Sequence, residues 1–121
     1  MAAYEFVTVW RFDAPLTPVW DLIYRAEEWP AWWRGVLRVE KLKEGGENRV
    51  GSVSRYTWKS KLPYLLTFEM ETTRVEPQAV IEGRAFGELA GHGRWSFSHE
   101  AGVTTVRYDW NVEERLRDGI N

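Results

Sequence analysis

From Ser54 onward the chain alternates, and in one segment the alternation changes in size rather than polarity. Tyr56 and Trp58, Phe68 and Met70, Trp95 and Phe97, then Val106, Tyr108 and Trp110 take every second position of four segments. Gly83, Ala85 and Gly87 take the equivalent positions of a fifth. Alternate residues of a pleated strand share a face, so these segments build a sheet with one large-ringed face that lacks side chains in one place. A gap in a wall of rings is a cavity. The pattern predicts a site for a small apolar or aromatic molecule, walled by Tyr56, Trp58, Phe68, Met70, Trp95, Tyr108 and Trp110 around the space left by Gly83, Ala85 and Gly87.

The turns test this reading, because in an antiparallel hairpin the turn fixes which residues face each other. A turn at Ala101-Gly102 sets Trp95 opposite Tyr108, Phe97 opposite Val106 and Gly93 opposite Trp110, with Arg94 opposite Asp109 on the other face. A turn at Pro77-Gln78 sets Phe68, Met70 and Thr72 opposite Gly87, Ala85 and Gly83, and Glu71 opposite Arg84. Both hairpins sort rings inward and ions outward, and a one-residue slip would undo either. Glu69 and Glu71 therefore read as a surface ladder with Arg55 and Arg84. Continued toward the turn, the same alternation puts Arg74 inside with Thr72, where a guanidinium could hold a carboxylate or phenolate.

Ahead of this region, Tyr4 to Phe12 alternates as a strand. Asp13-Ala14-Pro15 offers an Asp cap and an early-helix proline before an apolar stripe at Val19, Trp20, Leu22 and Ile23. Glu27 to Trp33 predicts a second short helix with acids before its start and Gly35 as its stop. Trp29, Trp32 and Trp33 cannot all be buried on one face of so short a helix, which places Trp33 at the rim of the cavity. The remaining strands are expected at Val36 to Leu42, Gly51 to Lys59, Tyr64 to Glu76 after a loop with Pro63, Ala79 to Gly87, Gly91 to His99 and Val103 to Val112.

A chain of 121 residues can bury a core as a single domain, residues 1–121. Sixteen basic and eighteen acidic residues, without a run of like charge, disfavour nucleic acid or an anionic membrane as partner. The absence of cysteine removes disulfides, thiolate nucleophiles and sulfur-ligated metals, and points weakly to the cytoplasm. No leader or membrane-spanning stretch is expected. No spacing for a metal, phosphate-cradling loop or serine nucleophile occurs, so neither metal nor cofactor is expected. His92 and His99, the only histidines, read as outward and solvated. No residue is assigned a catalytic role.

One strand, two short helices and a six-stranded antiparallel run resemble the helix-grip fold of START-related, polyketide cyclase/dehydrase-like (SRPBCC) proteins. The likeness rests on Ala14-Pro15 with Val19-Trp20-Asp21-Leu22-Ile23, on Trp29-Pro30-Ala31-Trp32-Trp33 with Gly35-Val36, on Val75-Glu76-Pro77, and on the Gly87 to Gly93 stretch before Trp95. It implies an α+β fold with a seven-stranded, curved antiparallel sheet. It also implies a long C-terminal helix across the concave face, whereas this chain ends nine residues after Val112. The expectation is a fragment, or a homodimer in which a second copy covers that face. One such scaffold hosts binding, transport and catalysis. Carriage of a lipid- or polyketide-like molecule is the leading reading. A cyclase or dehydratase using Tyr56, Tyr108 and Arg74 comes second, and a protein-interaction module using the aromatic face third.

Overall fold

In the computed structural model, residues 3–59 and 65–114 are described. Seven strands, β1 (Ala3–Phe12), β2 (Val36–Lys43), β3 (Val53–Lys59), β4 (Leu65–Glu76), β5 (Val80–Gly87), β6 (Leu89–Glu100) and β7 (Val103–Glu114), form one antiparallel sheet in the order β1-β7-β6-β5-β4-β3-β2. The helix α1 (Leu16–Tyr24) and a 3-10 helix (Ala26–Ala31) follow β1. The expected loop around Pro63 and strand start at Tyr64 lie outside the described residues.

The β6–β7 hairpin has the predicted register throughout, with Trp95 opposite Tyr108, Phe97 opposite Val106 and Gly93 opposite Trp110. In β4–β5 the register is as predicted from Phe68 to Thr72 but not beyond. The loop holds three residues rather than two, with Gln78 at φ 61°, so Glu76 faces Val80 and Arg74 faces Glu82; an irregularity between Thr72 and Arg74 restores the pairing. One extra residue on a strand turns the following side chains to the other face. Val75 consequently packs on the core, and Arg74 stands outside.

The outer face carries the ions. Arg55 pairs with Glu69 at 3.1 Å and Arg84 with Glu71 at 3.0 Å, while Arg74 and Arg94 share Glu82 at 3.3 and 3.6 Å. Asp109 faces Arg94 across the strands, but its carboxylate is held by Arg107 at 3.0 Å. These pairs are exposed and contribute about 0–1 kcal/mol each.

The helices cover the inner face at one end. Val19, Trp20 and Ile23 are the buried stripe of α1, and the Trp20 ring meets Phe97 edge-on at 4.9 Å. Trp29 of the 3-10 helix is buried too, and its indole N–H donates to the Ile23 carbonyl at 3.1 Å, tying the two helices together. Two local expectations change. Pro15, not Asp13, sits at the start of α1, where no side chain caps the helix; the Thr104 hydroxyl instead donates to the Ala14 carbonyl at 2.7 Å. The 3-10 helix has Glu27 and Glu28 inside its first turn and ends at Ala31, four residues short of Gly35. A β-carbon at Gly35 would press on the Lys59 carbonyl and the Trp58 indole nitrogen, both at 3.2 Å, so this glycine serves a close approach to β3.

Candidate functional site

Between the helices and the inner face of β3 to β7 the rings form a continuous network. Trp95 of β6 stacks on Tyr108 of β7 with centroids 3.9 Å apart and planes 13° apart, and on Trp10 of β1, two strands away, at 5.7 Å. Tyr108 continues to Trp110 at 5.6 Å, Trp110 to Phe68 at 5.9 Å, and Phe68 to Tyr56 at 5.6 Å. Trp29 closes the loop over Tyr56 and Trp95. This circle of rings surrounds a cavity of about 80 Å³.

Nine of the residues expected from the alternation line that cavity: Tyr56, Trp58, Phe68, Met70 and Thr72 from β3 and β4, and Gly83, Trp95, Tyr108 and Trp110 from β5 to β7. The other four do not, Gly87 being one, packed on the Phe68 backbone. Arg74 is turned outward by the extra residue before it and pairs with Glu76 and Glu82. Trp33 is not at the rim: its half-buried ring lies among Trp10, Trp58 and Trp95, at 6.0, 5.0 and 6.3 Å, and packs on Trp29. Trp32 is the exposed member of the trio. Ala85 is buried opposite Met70, away from the cavity.

The glycine row also makes less space than its sequence implies. A β-carbon at Gly83 would meet the Met70 methyl at 3.0 Å, one at Gly87 the Phe68 backbone at 3.4 Å, and one at Gly93 the Trp110 ring at 2.8 Å and the Tyr108 hydroxyl at 3.0 Å. Small residues on β5 and β6 are therefore largely filled by large ones on β4 and β7. What remains is narrow: small-molecule pockets commonly measure about 300–1,000 Å³.

The mouth is polar, and sequence reasoning missed most of it. Arg49, from the segment between β2 and β3, donates both terminal nitrogens to Glu27 at 2.9 and 3.0 Å and reaches the Tyr24 carbonyl at 3.3 Å, with its guanidinium 4.8 Å from the Tyr24 ring centre. Asn48 and Arg49 both have positive φ, 54° and 65°, which aims the arginine back at the helices. Such loop geometry leaves no periodic signal in the sequence. Beside it the Ser52 hydroxyl donates to the Thr72 hydroxyl at 3.3 Å. Burial works to raise the Glu27 carboxyl, but the hydrogen bonds and charge of Arg49 bring it below the usual value, and the same pairing raises Arg49.

Inside, desolvation pushes the Tyr56 phenol far above its ordinary value, and Tyr108 likewise, since ionising either would place a charge among rings. Both stay protonated donors. His92 and His99 are exposed and remote from the cavity, and among the described residues no cluster of histidine and carboxylate stands ready to hold a metal ion.

The fold is shared widely. The Zhui aromatase/cyclase from Streptomyces sp. R1128 superposes with a TM-score of 0.79 at 17% identity, over 98% of this chain and 73% of that one. A START superfamily protein from Mycobacterium smegmatis gives 0.79 at 14% identity, over 93% and 78%. The di-domain aromatase/cyclase BexL from the BE-7585A biosynthetic pathway gives 0.74 at 24% identity over 93% of this chain, which spans 37% of that longer protein. No curated protein matches the sequence. Residues 4–120 match the family model described as polyketide cyclase / dehydrase and lipid transport, and the chain belongs to that family.

Proposed function

We propose that this protein binds a small hydrophobic or aromatic molecule in the ring-lined cavity on the inner face of the sheet. The supporting observation is the circle of Tyr56, Phe68, Trp110, Tyr108, Trp95 and Trp29 around an 80 Å³ space with polar groups at its mouth. A flat apolar guest would gain about 25 cal/mol per Å² of surface withdrawn from water. An oxygen substituent would find the Tyr56 and Tyr108 hydroxyls or the Ser52–Thr72 pair. The guest is lipid- or polyketide-like in class, and the protein a cytoplasmic carrier of it.

Space decides the terms of binding. The cavity of about 80 Å³ has room for only a few water-sized groups, so a guest of several rings enters only as Met70, the flexible side chain over Gly83, swings aside. Fluorescence titration with flat aromatic and acyl compounds, read together with the melting temperature, tests this. Quenched tryptophan emission with a raised melting temperature is expected; a panel that moves neither removes the reading.

Cyclase or dehydratase chemistry is the second reading, favoured by the two protonated tyrosines, which could donate to a developing enolate oxygen. With Arg74 outside and both histidines in solvent, the candidate bases are the carboxylates of Glu27, Glu71 and Glu82 in the cavity lining, and each is engaged by an arginine. Turnover of a poly-β-ketone that disappears in Tyr56→Phe or Tyr108→Phe would raise it above carriage.

A further inference from the structure

The two edges of the sheet are built differently. β2, at one end of the strand order, carries Arg38, Lys41 and Lys43, and its pairing with β3 is interrupted twice, between Val36 and Arg38 and between Lys41 and Lys43. Charges and irregularities of this kind keep an edge from adding another strand. β1, at the other end, has neither lysine nor proline and pairs with β7 in unbroken register from Ala3 to Phe12. Between the exposed Glu5 and Arg11 its exposed residues are apolar except Thr8, with Val7 at 58%, Val9 at 41% and Phe6 at 49% exposure. A long, regular, apolar edge is the type that accepts a strand.

The sequence of β1 also fits one particular occupant, a second copy of itself. Let two β1 strands run antiparallel about a two-fold axis through Thr8. Glu5 then faces Arg11 of the second copy, and Arg11 faces Glu5 of the second copy. Val7 faces Val9, and on the inner face Phe6 faces Trp10. Apart from Thr8, which faces itself at the axis, each of these pairs is opposite in charge or apolar on both sides, and threonine pairs, charge pairs and apolar pairs are all pairings that stabilise a sheet. A shift by one residue sets Glu5 against Trp10 and loses both ion pairs. A β1–β2 contact would be head-to-tail and open-ended, and the β2 edge is the guarded one.

We propose that the protein forms a two-fold dimer through its β1 edges, centred on Thr8, giving one continuous antiparallel sheet across both copies. This site is separate from the cavity and does not depend on what the cavity holds. It also differs from the face-covering dimer expected from sequence, because α1 and the 3-10 helix occupy the inner face at the position of Trp20 and Trp29.

Sedimentation of the full chain gives the first measurement, and charge variants the second. Glu5→Arg or Arg11→Glu alone turns two attractive pairs into two repulsive ones and is expected to weaken the dimer about tenfold or more. The double variant E5R/R11E restores it, and so does mixing the two single variants, whose edges then complement each other. The chain has no cysteine, so Thr8→Cys supplies a single thiol. Facing residues of an antiparallel pair lie about 4.5–5.5 Å apart at Cα, within disulfide reach. Thr8→Cys should cross-link into a covalent dimer under mild oxidation, whereas Val7→Cys, which faces position 9 of the second copy, should not. Circular dichroism of each variant separates loss of dimer from loss of fold. A chain that sediments as a monomer at every concentration overturns the proposal. So does a dimer indifferent to E5R and uncross-linked by Thr8→Cys, which would place the contact on another surface.

Discussion

Trp110 lies over Gly93 across the β6–β7 pair, so close that a β-carbon at Gly93 would come within 2.8 Å of the indole. The missing side chain of one strand is the seat of the large one on the next. Gly93→Ala must displace Trp110 or the Tyr108 hydroxyl, both held by neighbouring rings, and is expected to destabilise by about 1–3 kcal/mol, the usual cost of overpacking. At Gly83 the nearest atom is the far end of Met70 at 3.0 Å, which can move, with the Glu71 backbone carbonyl next at 3.1 Å; no contact there is under 3.0 Å, so Gly83→Ala should cost less than Gly93→Ala. Urea unfolding of both variants checks the order. Equal losses would mean that the ring wall is looser than its contacts imply.

How much of this was legible in the sequence depends on whether the information was periodic. The β6–β7 register followed from the Ala101-Gly102 turn and the ring alternation, and held along the whole hairpin. The β4–β5 register followed equally well as far as Thr72, then failed, because a three-residue loop and a compensating irregularity change nothing in the alternation farther along the strand. Arg74 was misplaced for that reason alone. Trp33 failed differently: three tryptophans in five residues give no phase, and the 3-10 geometry that buries Trp29 and exposes Trp32 is set by contacts with Tyr56 and Trp95. Arg49 was invisible because its aim depends on two left-handed backbone positions.

The Glu27–Arg49 pair joins the helical segment to the loop before β3 at the mouth of the cavity, and a double-mutant cycle isolates its contribution. Glu27→Gln and Arg49→Met are each expected to lower stability by about 0.5–1 kcal/mol, as befits a bidentate but partly exposed pair. The double variant should lose little more than either. The folded-state carboxyl is held below its ordinary value of 4.5. Its stabilisation is therefore complete above that pH and is lost as the pH falls through the folded value. Wild type should show an acid-side decline in that window that Glu27→Gln lacks; parallel pH profiles would show that the pair is not coupled to folding.

Tyr56 and Tyr108 predict the opposite, alkaline, dependence. Both are raised above the ordinary phenol value of 10.0 by burial, so the folded chain holds their protons more tightly than the unfolded chain does. The corresponding stability is intact below about pH 10 and declines as the pH rises above it. Tyrosinate absorbance from these two residues should appear only together with loss of the tryptophan emission of the folded state. Tyr56→Phe and Tyr108→Phe should each push the alkaline unfolding midpoint upward. Early, reversible ionisation in the folded protein would mean that water reaches the cavity freely.

Met70 gives the sharpest test of cavity size, because its methyl fills the space that Gly83 leaves open. Met70→Ala removes a half-buried side chain and should destabilise by about 2 kcal/mol, the low end for such truncations since the site is not fully enclosed. It should also join the vacated volume to the 80 Å³ already present. A polycyclic aromatic guest should then bind the variant more tightly than wild type, and the guest should recover part of the lost melting temperature in proportion to its concentration. If the guest binds less tightly to Met70→Ala, the methionine is a contact rather than a plug. Guests would then be limited to those that fit the cavity as it stands, a single ring or a short acyl tail.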